Sequence, residues 1–163
     1  LPLIVVGDGV EKSYLKDLAG PTVQILGFQS ETKIENLMSR CRAFVYAGVE
    51  DFGIAPVEAM AAGAPVIALG KGGVLDTVKC FNSNLSKGAT GLLFPSQTVK
   101  SLVEVIEFFQ EKQLWRDLHP ELIRDWANSF SNDSFKLRLE KTINKAWSEH
   151  LNSCDITTSD LRS

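Results

Sequence analysis

The chain has 163 residues, 44% of them apolar and 23% charged, with a formal net charge of −3. That length fits one domain with a core of its own, the balance shows no basic excess for nucleic acid, and no apolar run is long enough for a membrane span. The three cysteines, Cys41, Cys80 and Cys154, are far apart and odd in number, which argues against a disulfide framework or a zinc site and for a reducing, cytoplasmic compartment.

Leu3 to Val6 is a continuous apolar run ending in Gly7-Asp8-Gly9, and it reads as a strand buried on both faces. A helix follows from Glu11 to Ala19, closed by Gly20-Pro21. Val23 to Leu26 is a second strand, ended by Gly27. Ser30, Glu31 and Lys33 open a helix with Ile34, Leu37, Met38 and Cys41 at helical spacing. Ala43 to Tyr46 is the third strand, and Val57 to Ala62 is a helix stopped by Gly63. Pro65 to Leu69 is the fourth strand, followed by a turn at Gly70-Lys71-Gly72-Gly73 and a short helix, Val74 to Val78. Residues 79–90 form a polar loop long enough to be functional. Gly91 to Pro95 is the fifth strand.

The remainder reads as helical. Val99, Leu102, Val103, Ile106 and Phe109 share one face, and Leu114 to Ser129 forms another helix, with His119 before Pro120 marking a boundary. Phe135 to Leu151 carries Phe135, Leu139, Ile143 and Trp147 on one stripe. Residues 1–151 make the domain, and 152–163 read as a polar, disordered tail. Alternating strands and helices predict an α/β fold with a parallel, Rossmann-like sheet, flanking helices and right-handed crossovers.

The segment from Glu50 to Gly63 carries the chemistry. It holds two carboxylates, Glu50 and Glu58, separated by seven residues, with Phe52-Gly53 between them. Glu50 falls on the loop at the carboxyl end of a strand, where open parallel sheets bind ligands. Glu58 falls one turn into the next helix. The N–H groups of Phe52, Gly53 and Ile54 face out of the helix N-terminus, toward an anion such as phosphate. An ionised carboxylate only accepts hydrogen bonds, which suits ribose and sugar hydroxyls. His119 and His150 form no metal pattern, and the chain contains no Asp-x-Asp.

Taken singly, these features have plainer readings. Glu50 and Glu58 serve as a helix N-terminal charge and an ordinary surface residue, Gly7-Asp8-Gly9 and Gly72-Gly73 as turns, and Lys71 as a solvated surface lysine. Trp115, Trp126 and Trp147 read as core or inter-helix packing, and Cys41 as buried filler.

In order along the chain stand Val-Gly-Asp-Gly at 6–9, Ile-Leu-Gly at 25–27, the paired-Glu loop at 50–58, and Glu-Ala-Met-Ala-Ala-Gly at 58–63. Pro-Val-Ile-Ala at 65–68, Gly-Gly-Val-Leu-Asp-Thr-Val at 72–78 and Thr-Gly-Leu-Leu-Phe at 90–94 follow. This set resembles the C-terminal, donor-binding half of family-4 glycosyltransferases with the GT-B fold, and most of all their mannosyltransferase-like branch. The resemblance covers Leu3 to about Trp147. It implies a retaining hexosyltransferase whose donor is a nucleotide sugar, GDP-mannose being the branch's suggestion. It implies no cofactor or metal, and a glycan or lipid-linked acceptor held by an N-terminal domain.

By the same resemblance, Glu58 holds the ribose and Glu50 faces the donor sugar. Asp51, Phe52, Gly53 and Ile54 line the diphosphate or sugar, Gly7 and Gly9 shape the first loop, and Gln29 and Lys33 lie near the base. Asp76 stands where the family has Glu, and in that context Gly72-Gly73 becomes an anion-binding nest. The family's Arg and Lys, which grip the diphosphate, belong to a strand and loop ahead of Leu1, so the resemblance predicts an N-terminally truncated sheet. If the strand order is 3-2-1-4-5-6, the strands at 3–6 and 43–46 flank the absent one. Any membrane contact belongs to the N-terminal domain, at the inner face. Two further readings stay open: an epimerase of the same fold, which the absence of a strand-end histidine disfavours, and a non-catalytic nucleotide-binding remnant.

Overall fold

The computed structural model describes residues 1–82 and 88–160. Five strands alternate with helices: β1 (Leu3–Val6), α1 (Lys12–Leu18), β2 (Val23–Gly27), α2 (Glu31–Arg40), β3 (Phe44–Tyr46), α3 (Ile54–Ala61), β4 (Val66–Leu69), α4 (Val74–Thr77) and β5 (Gly91–Phe94). Then come α5 (Val99–Glu111), a 3₁₀ turn at Leu114–Arg116, α6 (Pro120–Asn128) and α7 (Asn132–Asp160).

All strand pairs are parallel, as the alternation predicts. They form two sheets, β1 with β2, and β3-β4-β5. β4 is central in the second sheet, pairing Phe44 with Val66 on one side and Val66 with Gly91 on the other. β1 and β3 are therefore both edges, each bonded to one neighbour.

The core lies on the three-stranded sheet. Every residue of β4 is buried, as a short unbroken Val-Ile-Ala-Leu run requires. Met60 of α3, Phe94 of β5, Phe109 of α5, Leu118 ahead of α6 and Ile123 within it close around it. Local signals start the helices where expected. Ser30 accepts a hydrogen bond from the Lys33 N–H to cap α2, and Thr98 accepts from the Ser101 N–H to cap α5.

Five expectations change. β1 is not buried on both faces, since Leu3, Ile4 and Val6 are exposed beside its single partner. The run 114–129 is a 3₁₀ turn and a separate helix, because Pro120 excludes helical geometry at His119, which is extended at φ −71° and ψ 121°. α3 starts at Ile54, three residues before Val57, since Pro56 in a first turn lacks only an N–H that has no acceptor there. α7 continues to Asp160, through most of the tail that composition marked as disordered. The apolar stripe of α7 is not packed: Phe135, Leu139, Ile143 and Trp147 are all exposed, so Trp147 is not a core residue. Of the long loop at 79–90, residues 83–87 lie outside the described residues.

Candidate functional site

The paired-carboxylate loop leaves β3 at Tyr46 and enters α3 at Ile54. Gly53 takes the left-handed conformation, φ +83°, which lets the chain turn sharply into the helix. The helix start at Ile54 moves the donors by one residue. The N–H groups with no intrahelical acceptor are those of Gly53, Ile54 and Ala55, and Pro56 has none. Ala55 thus joins them at the α3 N-terminus, where the sequence pattern had placed Phe52. The Phe52 ring meets Phe130, at the α6–α7 junction, edge-on at 6.0 Å.

Glu50, Asp51 and Glu58 are exposed, and Phe52 and Ile54 largely so. Glu58 is the fifth residue of α3, one turn in, as expected. Tyr46, at the end of β3, faces Glu50. That carboxylate first, then burial, holds the phenol up to about 12.

The turn at Gly72-Gly73 is not an open anion nest. The Gly73 N–H donates to the Glu50 carbonyl at 2.8 Å. A Cβ on Gly73 would lie 2.5 Å from the carbonyl oxygens of Asp51 and Phe52, and one on Gly72 would meet the Glu50 carbonyl. The two glycines are a seat on which residues 50–52 rest. A second tie comes from β5's side, where Gln97 Nε2 donates to the Ala47 carbonyl at 2.9 Å. Asp76, two residues into α4, stands in its first turn as a helix-terminal charge.

Gly7 and Gly9 follow β1, Gln29 follows β2, and Lys33 is in the first turn of α2. Gly7 bonds back to Gly27 at 2.9 Å and leads into a cavity of about 230 Å³ lined by Gly7, Asp8, Gly9 and Lys12. There the Lys12 ammonium contacts the Asp8 carboxylate at 2.6 Å, and with the Gly9 N–H it holds Asp8 below the usual carboxylate range. The Gln29 amide donates to the carbonyls of Leu26 and Phe28, and the Lys33 N–H goes to the Ser30 cap. These contacts stay within the β2–α2 turn, and neither residue is tied to the Glu50 loop by any of them.

Trp115 and Trp126 pack as expected. Trp126 donates its indole N–H to the Thr77 carbonyl at 2.7 Å beneath the Lys79 ammonium, and Trp115 lies between Phe109 and the Arg42 guanidinium. Cys41 is half-buried, and burial pushes its thiol up.

Known proteins share this architecture. The crystal structure of Anabaena Alr3699/HepE in complex with UDP and glucose superposes at a TM-score of 0.68 and 25% identity, over 88% of this chain and 40% of that one. Sucrose-phosphate synthase of Thermosynechococcus elongatus gives 0.70 and 25%, over 90% and 39%. Among curated relatives, the alpha-1,3/1,6-mannosyltransferase ALG2 of Kluyveromyces lactis is 34% identical over 99 residues, 58% of this chain and 19% of that protein. ALG2 of Rhizomucor pusillus is 33% identical over 105 residues, 64% and 22%. The chain thus spans less than half of each of these proteins. The parallel sheets with flanking helices match those of GT-B glycosyltransferase structures. The family model for glycosyl transferases group 1 matches residues 1–128, from β1 through the end of α6. The chain belongs to the glycosyl transferases group 1 family.

Proposed function

We propose that this chain is the donor-binding part of a retaining, family-4 glycosyltransferase that moves a hexose from a nucleotide sugar to a glycan or lipid-linked acceptor. The observation that carries the reading is the seating of the Glu50 loop on Gly72-Gly73 at the entrance to α3, with Glu58 one turn into that helix. This puts two exposed acceptors on either side of a helix N-terminus. A nucleotide sugar presents the matching groups in order: ribose hydroxyls, a diphosphate and sugar hydroxyls. In this reading Glu58 accepts from the ribose, the Gly53, Ile54 and Ala55 N–H groups meet the diphosphate, and Glu50 accepts from the sugar.

Breaking the bond to the diphosphate leaves positive charge on the sugar and negative charge on the leaving group. The α3 N-terminus stabilises the second, and the Glu50 carboxylate lies on the side of the first. Asp51 and Phe52 complete the loop, and Gly7 and Gly9 shape the neighbouring one. Gln29 and Lys33, in the β2–α2 turn, are proposed to lie near the base. The acceptor is assigned to an N-terminal domain that also supplies the basic partners of the diphosphate and any membrane contact, with the protein in the cytoplasm.

Mannose is the proposed sugar and GDP-mannose the proposed donor, supported by the mannosyltransferases among the relatives. HepE, solved with UDP and glucose, sets the competing choice. Calorimetric titration of the full-length protein with GDP-mannose and UDP-glucose separates them. Tighter binding of GDP-mannose supports the proposal, tighter binding of UDP-glucose corrects the donor, and binding of neither removes the donor-site reading.

A further inference from the structure

The loop that carries Glu50 turns into α3 through Gly53, a left-handed residue with no side chain to hold its conformation. The aim of the Gly53, Ile54 and Ala55 N–H groups therefore depends on what fixes Phe52, the residue before the turn. Gly73 holds the loop from beneath, at the Glu50 carbonyl. A second hold is on the Phe52 side chain. Its ring is largely exposed, yet it meets Phe130 edge-on, with centroids 6.0 Å apart and planes at 68°. Phe130 is half-buried in the short link between α6 and α7, and its N–H donates to the Ala127 carbonyl at 2.9 Å. Ala127 and Ile123 are buried and anchor α6 in the core.

Phe130 is braced in turn against the base of the same loop. The Trp126 ring stands perpendicular to it at 5.3 Å, and the Trp126 indole N–H donates to the Thr77 carbonyl at 2.7 Å. Thr77 is fully buried, and its hydroxyl donates to the Gly73 carbonyl at 3.1 Å. The Gly73 N–H reaches the Glu50 carbonyl at 2.8 Å. A closed circuit of contacts thus runs from Phe52 through α6 and α4 back to residue 50, and the loop cannot tilt away from α6 without losing the Phe52–Phe130 contact. We propose that Phe130 is a positioning residue of the donor site: from the α6–α7 link it sets Phe52, and through Phe52 the direction in which the α3 N-terminus meets the diphosphate. The inference rests on the assignment of that N-terminus to the diphosphate. Phe130 acts on the loop rather than on the donor, so its effect passes through Phe52 and vanishes when the Phe52 ring is gone.

The test is a double-mutant cycle on the full-length protein. Calorimetry reads affinity for GDP and for guanosine, which lacks the diphosphate, well below the melting temperature of each variant. UDP and uridine take their place if the wild type prefers that nucleotide. Phe130→Leu keeps an apolar side chain and removes the ring. It should weaken GDP binding roughly fivefold and leave guanosine within about twofold, a split that general loss of stability does not produce. Phe130→Tyr keeps the ring and should bind GDP within about twofold of wild type. Phe52→Leu removes the same contact from the other side and stands in if Phe130→Leu folds poorly. The double variant should bind GDP no more weakly than the weaker single variant. Wild-type GDP affinity in Phe130→Leu, or a double variant in which the two losses multiply in full, overturns the inference and leaves the donor site standing. Equal losses for GDP and guanosine show a merely structural role and overturn it as well. A wild-type protein that binds neither GDP nor UDP removes the donor-site reading and this inference with it.

Discussion

Glu50 and Glu58 are both exposed carboxylates on one loop–helix unit, and they differ in what surrounds them. Glu58 stands on the regular surface of α3, where its substitution leaves the fold intact. Glu58→Ala should therefore weaken nucleoside diphosphate binding by about 1.5–3 kcal/mol, the range for a hydrogen bond to a charged group. Calorimetry measures this, and unchanged affinity would sink the ribose role. Glu50 faces Tyr46, which gives a pH signature. A phenol raised from its ordinary value near 10 to about 12 adds stability that is complete below pH 10 and lost as pH rises through 12. Alkaline unfolding of Glu50→Gln should therefore begin later relative to its own neutral stability, because that stability has lost the term that titrates away. Neither carboxylate needs a metal in the proposed reaction, so a chelator should leave turnover unchanged. Loss restored by magnesium or manganese would contradict this. At this scale the positions of Glu50 and Glu58 were legible, because loop-then-helix placement follows from the apolar pattern of 43–46 and 57–62. The neighbour of Glu50 was not. Nothing in the spacing of Tyr46 says that a glycine two positions on leaves room for its ring to cross the loop.

Among elements, the tie between the β3–α3 loop and the β4–α4 turn governs the site. Gly73 donates to the Glu50 carbonyl and has no space for a side chain against Asp51 and Phe52. Gly73→Ala must push residues 50–52 off their seat. We expect a loss of roughly 1–3 kcal/mol in stability, as for overpacking, together with loss of nucleotide binding. Thermal melting and calorimetry read the two, and a variant with wild-type values for both would show that the loop does not depend on this contact. The seat was misread from sequence as an anion nest, because a Gly-Gly pair looks the same whether its N–H groups meet a phosphate or a carbonyl some twenty residues away. Local rules did better: Ser30 announced α2, and Pro120 announced the break before α6. The end of α7 was missed because polar composition argues against a packed core, and the described part of α7 is itself unpacked, with Phe135, Leu139, Ile143 and Trp147 exposed.

For the molecule as a whole, burial is uneven. β4 has relative exposures of 0–1% and lies between two partners. In β1, Leu3, Ile4 and Val6 are 47%, 44% and 36% exposed, and β1 has one partner. Among residues 1–41 only Gly27 and Met38 are buried. The parallel pairing was legible, since alternation of strands and helices requires crossover connections. How unequally the two sheets are held was not, since Leu3 to Val6 and Val66 to Leu69 are equally apolar runs. Local opening follows buried contacts. Amides of β4 and β5 should therefore exchange only with global unfolding, while those of β1, α1 and β2 exchange at least roughly tenfold faster. The open edges of β1 and β3 and the bare stripe of α7 also make residues 1–163 prone to self-association when isolated. The proposed diphosphate site has helix N–H groups but no basic side chain among its assigned residues 50–58. Residues 1–163 alone should accordingly show no measurable sugar transfer and only weak nucleotide binding. Purifying them and measuring both, alongside exchange by mass spectrometry, decides the matter. Uniform protection of the two sheets would show that β1 and β2 are as firmly held as the core, and turnover by the isolated chain would show that the site is complete without a further domain.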